Sequence, residues 1–312
     1  MSRRDAAPAG MVVRPLHRLQ LAVDVELAPG LEQQDLETPR REDVRRHAAS
    51  GARSHHDGIV GGQEIDLARG LRLNPQERHR DTITFMSQRL EIPFESVTLH
   101  ATVYPAAGDA PSLILAHGAG AGQQSRFITA FADALVTRGI GVVTFDFPYM
   151  QQHRRVPDRG PLLEAAWRAV LTHAVTEGVV TQGRFVIGGK SMGGRIASQV
   201  LADRTAFQEG VRGLVLLGYP LHPPGRPEQL RTAHLPSLTA PVLVVQGERD
   251  AFGTPEEVRA AFAVSQGPVE VLSIPGGDHS FKVPKTGGTQ GVVDEQIRER
   301  VADWVNSVVR SS

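Results

Sequence analysis

Residues 184–194 read Arg-Phe-Val-Ile-Gly-Gly-Lys-Ser-Met-Gly-Gly, so Ser191 stands in a G-x-S-x-G pattern between Gly189 and Gly193. The apolar run Phe185, Val186, Ile187 precedes it, and Arg195 to Ala202 follow with helical character. A strand that turns sharply into a helix needs small residues two places either side of the apex. Such a turn holds the apical hydroxyl clear of the sheet, where a base can reach it. The chemistry this points to is nucleophilic attack by Ser191 on an acyl carbon.

That chemistry needs a base and an acid to orient it. Pro241–Val245 forms a buried-strand pattern and is followed by Gln246-Gly247-Glu248-Arg249-Asp250. Val269–Ile274 forms the next, followed by Pro275-Gly276-Gly277-Asp278-His279. Ser191, Asp250 and His279 therefore each lie just past the end of a predicted strand. In a parallel sheet those ends share one edge, so residues far apart in sequence can meet there. Ser191 is read as nucleophile, His279 as general base and Asp250 as its orienting acid. Asp278, a neighbour of the histidine, and Asp146 are the rival acids.

An oxyanion needs preorganised donors. The amide of Met192, at the start of the predicted helix, is one. The second is assigned to the glycine-rich loop His117-Gly118-Ala119-Gly120-Ala121-Gly122, at Gly118 or Ala119. That loop lacks the lysine and Ser/Thr ending of a phosphate-binding P-loop. His117, Tyr149, Lys190 and His222 are candidates to line a substrate pocket. Arg195, Arg154, Arg155, Asp158, Phe145, Phe147 and Met150 could belong to its surroundings or to plain packing.

The elements that must position these residues are visible as an alternation. Strands are predicted at 88–94, 97–104, 112–116, 140–145, 184–188, 213–218, 241–246 and 269–274. Helices are predicted at 125–138, 161–177, 192–203, 254–265 and 292–310. Leu162, Leu163, Ala166, Trp167, Val170, Leu171 and Ala174 recur at the spacing of one helix face. Thr254 and Glu257 are spaced as a capping box. Strands alternating with helices imply a mostly parallel eight-stranded sheet covered on both faces. The first two strands have no helix between them, which implies an antiparallel start. Between strands 213–218 and 241–246 lies a short proline-rich link, too small for a cap domain.

The chain has 312 residues, 40% of them apolar, a formal net charge of zero and no cysteine. Disulfides, thiolate nucleophiles and cysteine-based zinc sites are excluded, and cytoplasmic residence is expected. Neither nucleic acid nor a membrane is implied as a partner. No metal or other cofactor is expected, and the chemistry requires none; His55-His56-Asp57 lacks a rigid frame or further ligands. Residues 1–84 contain no Phe, Tyr or Trp and carry charge clusters without period. Residues 1–85 are expected to be a disordered extension or sequence upstream of the true start, with the domain at 86–312.

The segments FDFPYM, RRVPDRGP, GGKSMGGRIAS, LLGYPLHPPGRPEQLRTAHL, VQGERDAFGTPEEV and GGDHSF resemble the alpha/beta-hydrolase superfamily over residues 88–310. More narrowly they resemble a dienelactone-hydrolase-like subgroup that includes the hydrolase-like subunit of the nonspecific-lethal chromatin complex. The resemblance implies the alpha/beta-hydrolase fold and the order nucleophile, acid, histidine. Dienelactone hydrolases typically use cysteine as nucleophile; this chain has Ser191, so their substrate is not carried over. The reading that follows is a serine hydrolase acting on small esters or thioesters. The alternatives are a peptidase using the same three residues, or a non-catalytic scaffold that keeps the fold for binding.

Overall fold

The computed structural model describes residues 87–203, 210–285 and 289–310. The expected extension at 1–85 and the His55-His56-Asp57 cluster lie outside them. Eight strands form one sheet: β1 (Gln88–Phe94), β2 (Val97–Tyr104), β3 (Ser112–Ala116), β4 (Gly141–Phe145), β5 (Phe185–Lys190), β6 (Val211–Leu217), β7 (Val242–Gly247) and β8 (Val269–Ile274). The helices are α1 (Arg126–Val136), α2 (Pro148–Gln151), α3 (Gly160–Thr176), α4 (Met192–Ala202), α5 (Pro255–Phe262) and α6 (Gln290–Arg310). The spatial order is β1-β2-β4-β3-β5-β6-β7-β8. β2 runs antiparallel to β1 and β4, and β3 to β8 are mutually parallel.

The continuous apolar runs of β3 and β7 follow from burial on both faces. Successive side chains alternate between faces. Ile114 and Ala116 of β3, with Val242 and Val244 of β7, join a core under α3, α4 and α5. Leu113, Leu115, Leu243 and Val245 join the opposite core, under α1 and α6. Leu163, Ala166, Trp167, Val170, Leu171 and Ala174 of α3 are buried, and the Trp167 ring meets Phe145 edge-on at 5.1 Å. The Trp167 Nε1–H also donates to Gly193 O at 3.3 Å, which ties α3 to the turn after β5.

Two elements have no counterpart in the sequence reading: α2, and a 3₁₀ turn at Leu235–Ser237. Four and three residues are too few to show a period. The 3₁₀ turn is the regular structure in the link from β6 to β7, so no cap domain stands there. Among the described residues no helix is long and apolar enough to cross a membrane.

Candidate active site

The turn after β5 owes its shape to packing. Ser191 has φ 50° and ψ −120°, a backbone conformation costly for a residue with a side chain. It persists because the surrounding backbone is closely packed. A Cβ on Gly189 would lie 2.5 Å from Gly193 C, and one on Gly193 would lie 2.4 Å from His117 O. Both distances are too short for any side chain, so glycine is required on each side of the serine. The Ser191 amide donates to Leu217 O at 2.9 Å, and α4 begins at Met192.

The three residues singled out from the sequence meet at this edge. Ser191 Oγ lies 2.8 Å from His279 Nε2. His279 Nδ1 lies 2.7 Å from Asp250 Oδ2. A carboxylate can only accept, which assigns the imidazole proton to Nδ1 and leaves Nε2 to accept from the serine hydroxyl. Asp250 is 3% exposed, and each of its oxygens has a further donor. The Phe252 amide donates to Oδ1 at 2.8 Å and Gln246 Nε2 to Oδ2 at 2.9 Å. The Phe252 ring packs on the imidazole with centroids 4.3 Å apart. Asp278 is turned into its own loop, where Oδ1 accepts from the Ser280 and Lys282 amides at 2.8 and 2.9 Å. Asp146 is bound to Gln123. Neither rival acid is the carboxylate bonded to His279.

The loop after β3 passes directly beside Ser191. A Cβ on Gly118 would lie 3.5 Å from Ser191 Cβ. Its carbonyls face inward: His117 Nδ1 lies 2.8 Å from Gly118 O, and Tyr149 Oη donates to Ala119 O at 3.0 Å. The Phe147 amide donates to His117 Nε2 at 3.1 Å, so the ring is held neutral with its proton on Nδ1. Burial lowers the His117 pKa and so favours that form, while the Gly118 carbonyl and Asp146 oppose it less strongly. Burial likewise raises the Tyr149 hydroxyl well above the usual phenol range.

The other expected pocket residues sort by these contacts. His117 and Tyr149 are both 0% exposed and stand behind the glycine-rich loop, supporting its backbone in place of forming a pocket wall. His222 is buried, with Nδ1 2.9 Å from Pro223 O. Lys190 turns its ammonium to His279 O, at 2.6 Å. Arg195 donates to Gln199 Oε1 at 3.2 Å. Arg154 pairs with Asp158, which also accepts the Tyr149 amide. Phe145 and Phe147 are core residues. Gln246 was not foreseen. Its signal was a polar residue at the end of an apolar strand, two places before the turn that carries Asp250. Among the described residues no cluster of three or more His, Asp or Glu could hold a metal ion.

A family model described as an alpha/beta hydrolase domain matches residues 109–309. The chain belongs to the alpha/beta hydrolase family. A quorum-quenching protein, AidA, of Acinetobacter baumannii is 32% identical over 113 residues, which span 34% of this chain and 36% of that protein. Among solved structures, the dienelactone hydrolase of Anabaena variabilis is similar with a TM-score of 0.54 at 20% identity, covering 69% of this chain and 95% of that one. Est1E of Butyrivibrio proteoclasticus has a TM-score of 0.53 at 18% identity, covering 70% and 99%. A puromycin-hydrolyzing peptidase of Mycobacterium tuberculosis has 0.55 at 17%, covering 73% and 41%. At these identities the likenesses show a shared alpha/beta hydrolase fold.

Proposed function

We propose that this hydrolase is a serine enzyme that cleaves carboxylic esters or thioesters with small acyl groups through an acyl-enzyme. The observation that carries the reading is the unbroken line from Ser191 Oγ through both imidazole nitrogens to Asp250. As Ser191 Oγ attacks the acyl carbon, its proton passes to His279 Nε2. Asp250 holds the ring and stabilises the imidazolium. The carbonyl oxygen becomes an oxyanion, received by the Met192 amide at the start of α4 and by an amide of the glycine-rich loop. Of the two candidates there, Ala119 fits better than Gly118. The C=O and N–H of a trans peptide point in opposite directions, and the Gly118 carbonyl is turned inward, toward His117. The Ala119 N–H therefore points the other way.

The tetrahedral intermediate collapses, the alcohol or thiol leaves with the proton from His279, and the acyl group stays on Ser191. Water then attacks, gives its proton to His279, and releases the acid and the free serine. Small acyl groups are favoured because the link between β6 and β7 carries no lid under which a long chain could be buried.

The test is turnover of p-nitrophenyl esters from acetate to palmitate, with Ser191→Ala as the partner protein. We expect acetate and butyrate to be the best substrates, and Ser191→Ala to lower kcat by about 10⁴-fold or more. Undiminished turnover by the purified variant removes Ser191 from the chemistry. A steady rise in kcat/KM toward palmitate removes the small-acyl assignment.

A further inference from the structure

His279 sits on the loop after β8, three strands away from β5 across the sheet, yet its imidazole must meet a hydroxyl at the end of β5. The histidine loop shapes itself through Asp278, whose carboxylate gathers the amides of Ser280 and Lys282. That internal bonding does not fix where the loop stands relative to the serine. Lys190 supplies such a tie. It is the residue before the nucleophile, and its Nζ donates to the His279 carbonyl at 2.6 Å. The same ammonium stands 5.0 Å from the centroid of the Phe281 ring. Gly218, at the end of β6, leaves the gap in which the two groups meet. A Cβ there would lie 2.9 Å from Lys190 Nζ, 3.2 Å from His279 O and 3.5 Å from His279 Cε1.

Composition points the same way. The chain holds 31 arginines and 3 lysines, yet the position beside the nucleophile is a lysine. A guanidinium is a wide planar fork and an ammonium a compact point charge. Only the compact head suits a gap that a single Cβ on Gly218 would obstruct.

We propose that Lys190 is a positioning residue: its ammonium latches the His279 backbone to the nucleophile's own strand and so keeps the imidazole at Ser191 Oγ. The inference rests on the proposed roles of Ser191 and His279. The latch is a charge-assisted bond, stronger than its neutral counterpart. Burial lowers the Lys190 pKa to about 8, against the opposing pull of the Asp250 and Asp278 carboxylates. The charged and titratable groups facing it are therefore Asp250 from the turn after β7, and Asp278 and His279 from the loop after β8. The latch weakens as pH rises through that value.

The test compares wild type, Lys190→Met and Ser191→Ala, using p-nitrophenyl acetate from pH 6 to 10 and thermal melts. Methionine keeps the length of the stem and removes the donor. Misplacing the imidazole lowers kcat by on the order of 10- to 100-fold while KM stays within about twofold. The melting temperature changes little, because relief of the ammonium's desolvation offsets the bond lost at His279 O. The alkaline fall in kcat near pH 8, expected in wild type, is absent in the variant.

A Lys190→Met protein with kcat within about twofold of wild type, beside an inactive Ser191→Ala, overturns the latch and leaves the serine mechanism standing. So does a variant whose KM rises while kcat holds, since that is a substrate contact. Loss of activity in proportion to loss of folded protein also overturns it. If the variant does not fold, the wild-type profile decides, and a flat kcat from pH 7.5 to 9.5 overturns the latch. Full activity in Ser191→Ala overturns the mechanism and the latch together.

Discussion

Asp250 and Asp278 show how environment, not residue type, decides which carboxylate meets the His279 imidazole. Asp250 is buried with both oxygens engaged, one of them by His279 Nδ1. Asp278 spends its carboxylate on two amides of its own loop. Asp250→Asn is therefore expected to lower kcat by about 10³- to 10⁴-fold, because the amide can force the wrong imidazole tautomer and cannot stabilise its cation. Asp278→Asn keeps an acceptor oxygen for the loop amides and is expected to lose far less. Steady-state kinetics of the two variants checks the assignment, and a reversed order of losses would make Asp278 the acid. Gln246 acts one step further out. Its Nε2 donates to Asp250 and, at 2.7 Å, to Gly253 O, while its Oε1 accepts from the Tyr219 amide at 2.8 Å. It thereby anchors the turn that holds Asp250 to the residue after Gly218, just past β6.

The elements are built so that a strained serine can sit between β5 and α4. Gly193 is where the turn has least room, pressed against the carbonyl of His117 at the end of β3. Gly193→Ala would put a methyl at 2.4 Å from that oxygen, so the serine turn or the loop after β3 must move. Overpacking of this kind costs about 1–3 kcal/mol, and here the displaced segments carry both proposed oxyanion donors. Urea melts should show that loss, with turnover of p-nitrophenyl acetate, the proposed activity, falling much further than stability; an unchanged midpoint and turnover would mean that the turn is not tightly held.

Much of this was legible in the chain. The strand patterns at 88–94, 97–104, 112–116 and 269–274 coincide with β1, β2, β3 and β8. Their apolar runs are bounded by turn residues, which sharpens their ends. That Ser191, Asp250 and His279 meet was legible because each follows a strand. What escaped was set by packing across the sheet. The inward turn of His117 and Tyr149, and the reach of Lys190 to His279 O, depend on partners 30 to 89 positions away. The four residues of α2 carry no period of their own.

At the scale of the whole molecule, folding buries histidines in neutral form. His234 has its Nε2 2.7 Å from Ser198 Oγ, and its pKa is pushed down to about 4 by burial and then by Arg195. The unfolded chain binds that proton near the ordinary histidine value of about 6.5. The folded state therefore loses stability as pH falls from about 6.5 to about 4, with no contribution above that window. The full shift amounts to at most about 3 kcal/mol. Burial of His117 acts in the same direction. Urea melts at pH 7 and pH 4.5 should show a smaller loss for His234→Gln than for wild type; equal losses would rule out His234 as a contributor. At one edge of the sheet, the segments after β5, β7 and β8 bring Ser191, Asp250 and His279 together, with the glycine-rich loop after β3 beside them. The most direct test of that convergence is reaction of the intact protein with a fluorophosphonate, followed by mass spectrometry of its peptides. We expect one adduct, on Ser191, formed in folded wild type and lost in Ser191→Ala and His279→Ala. Folded wild-type protein that takes no label, or takes it equally when Ser191 is replaced, would contradict the account.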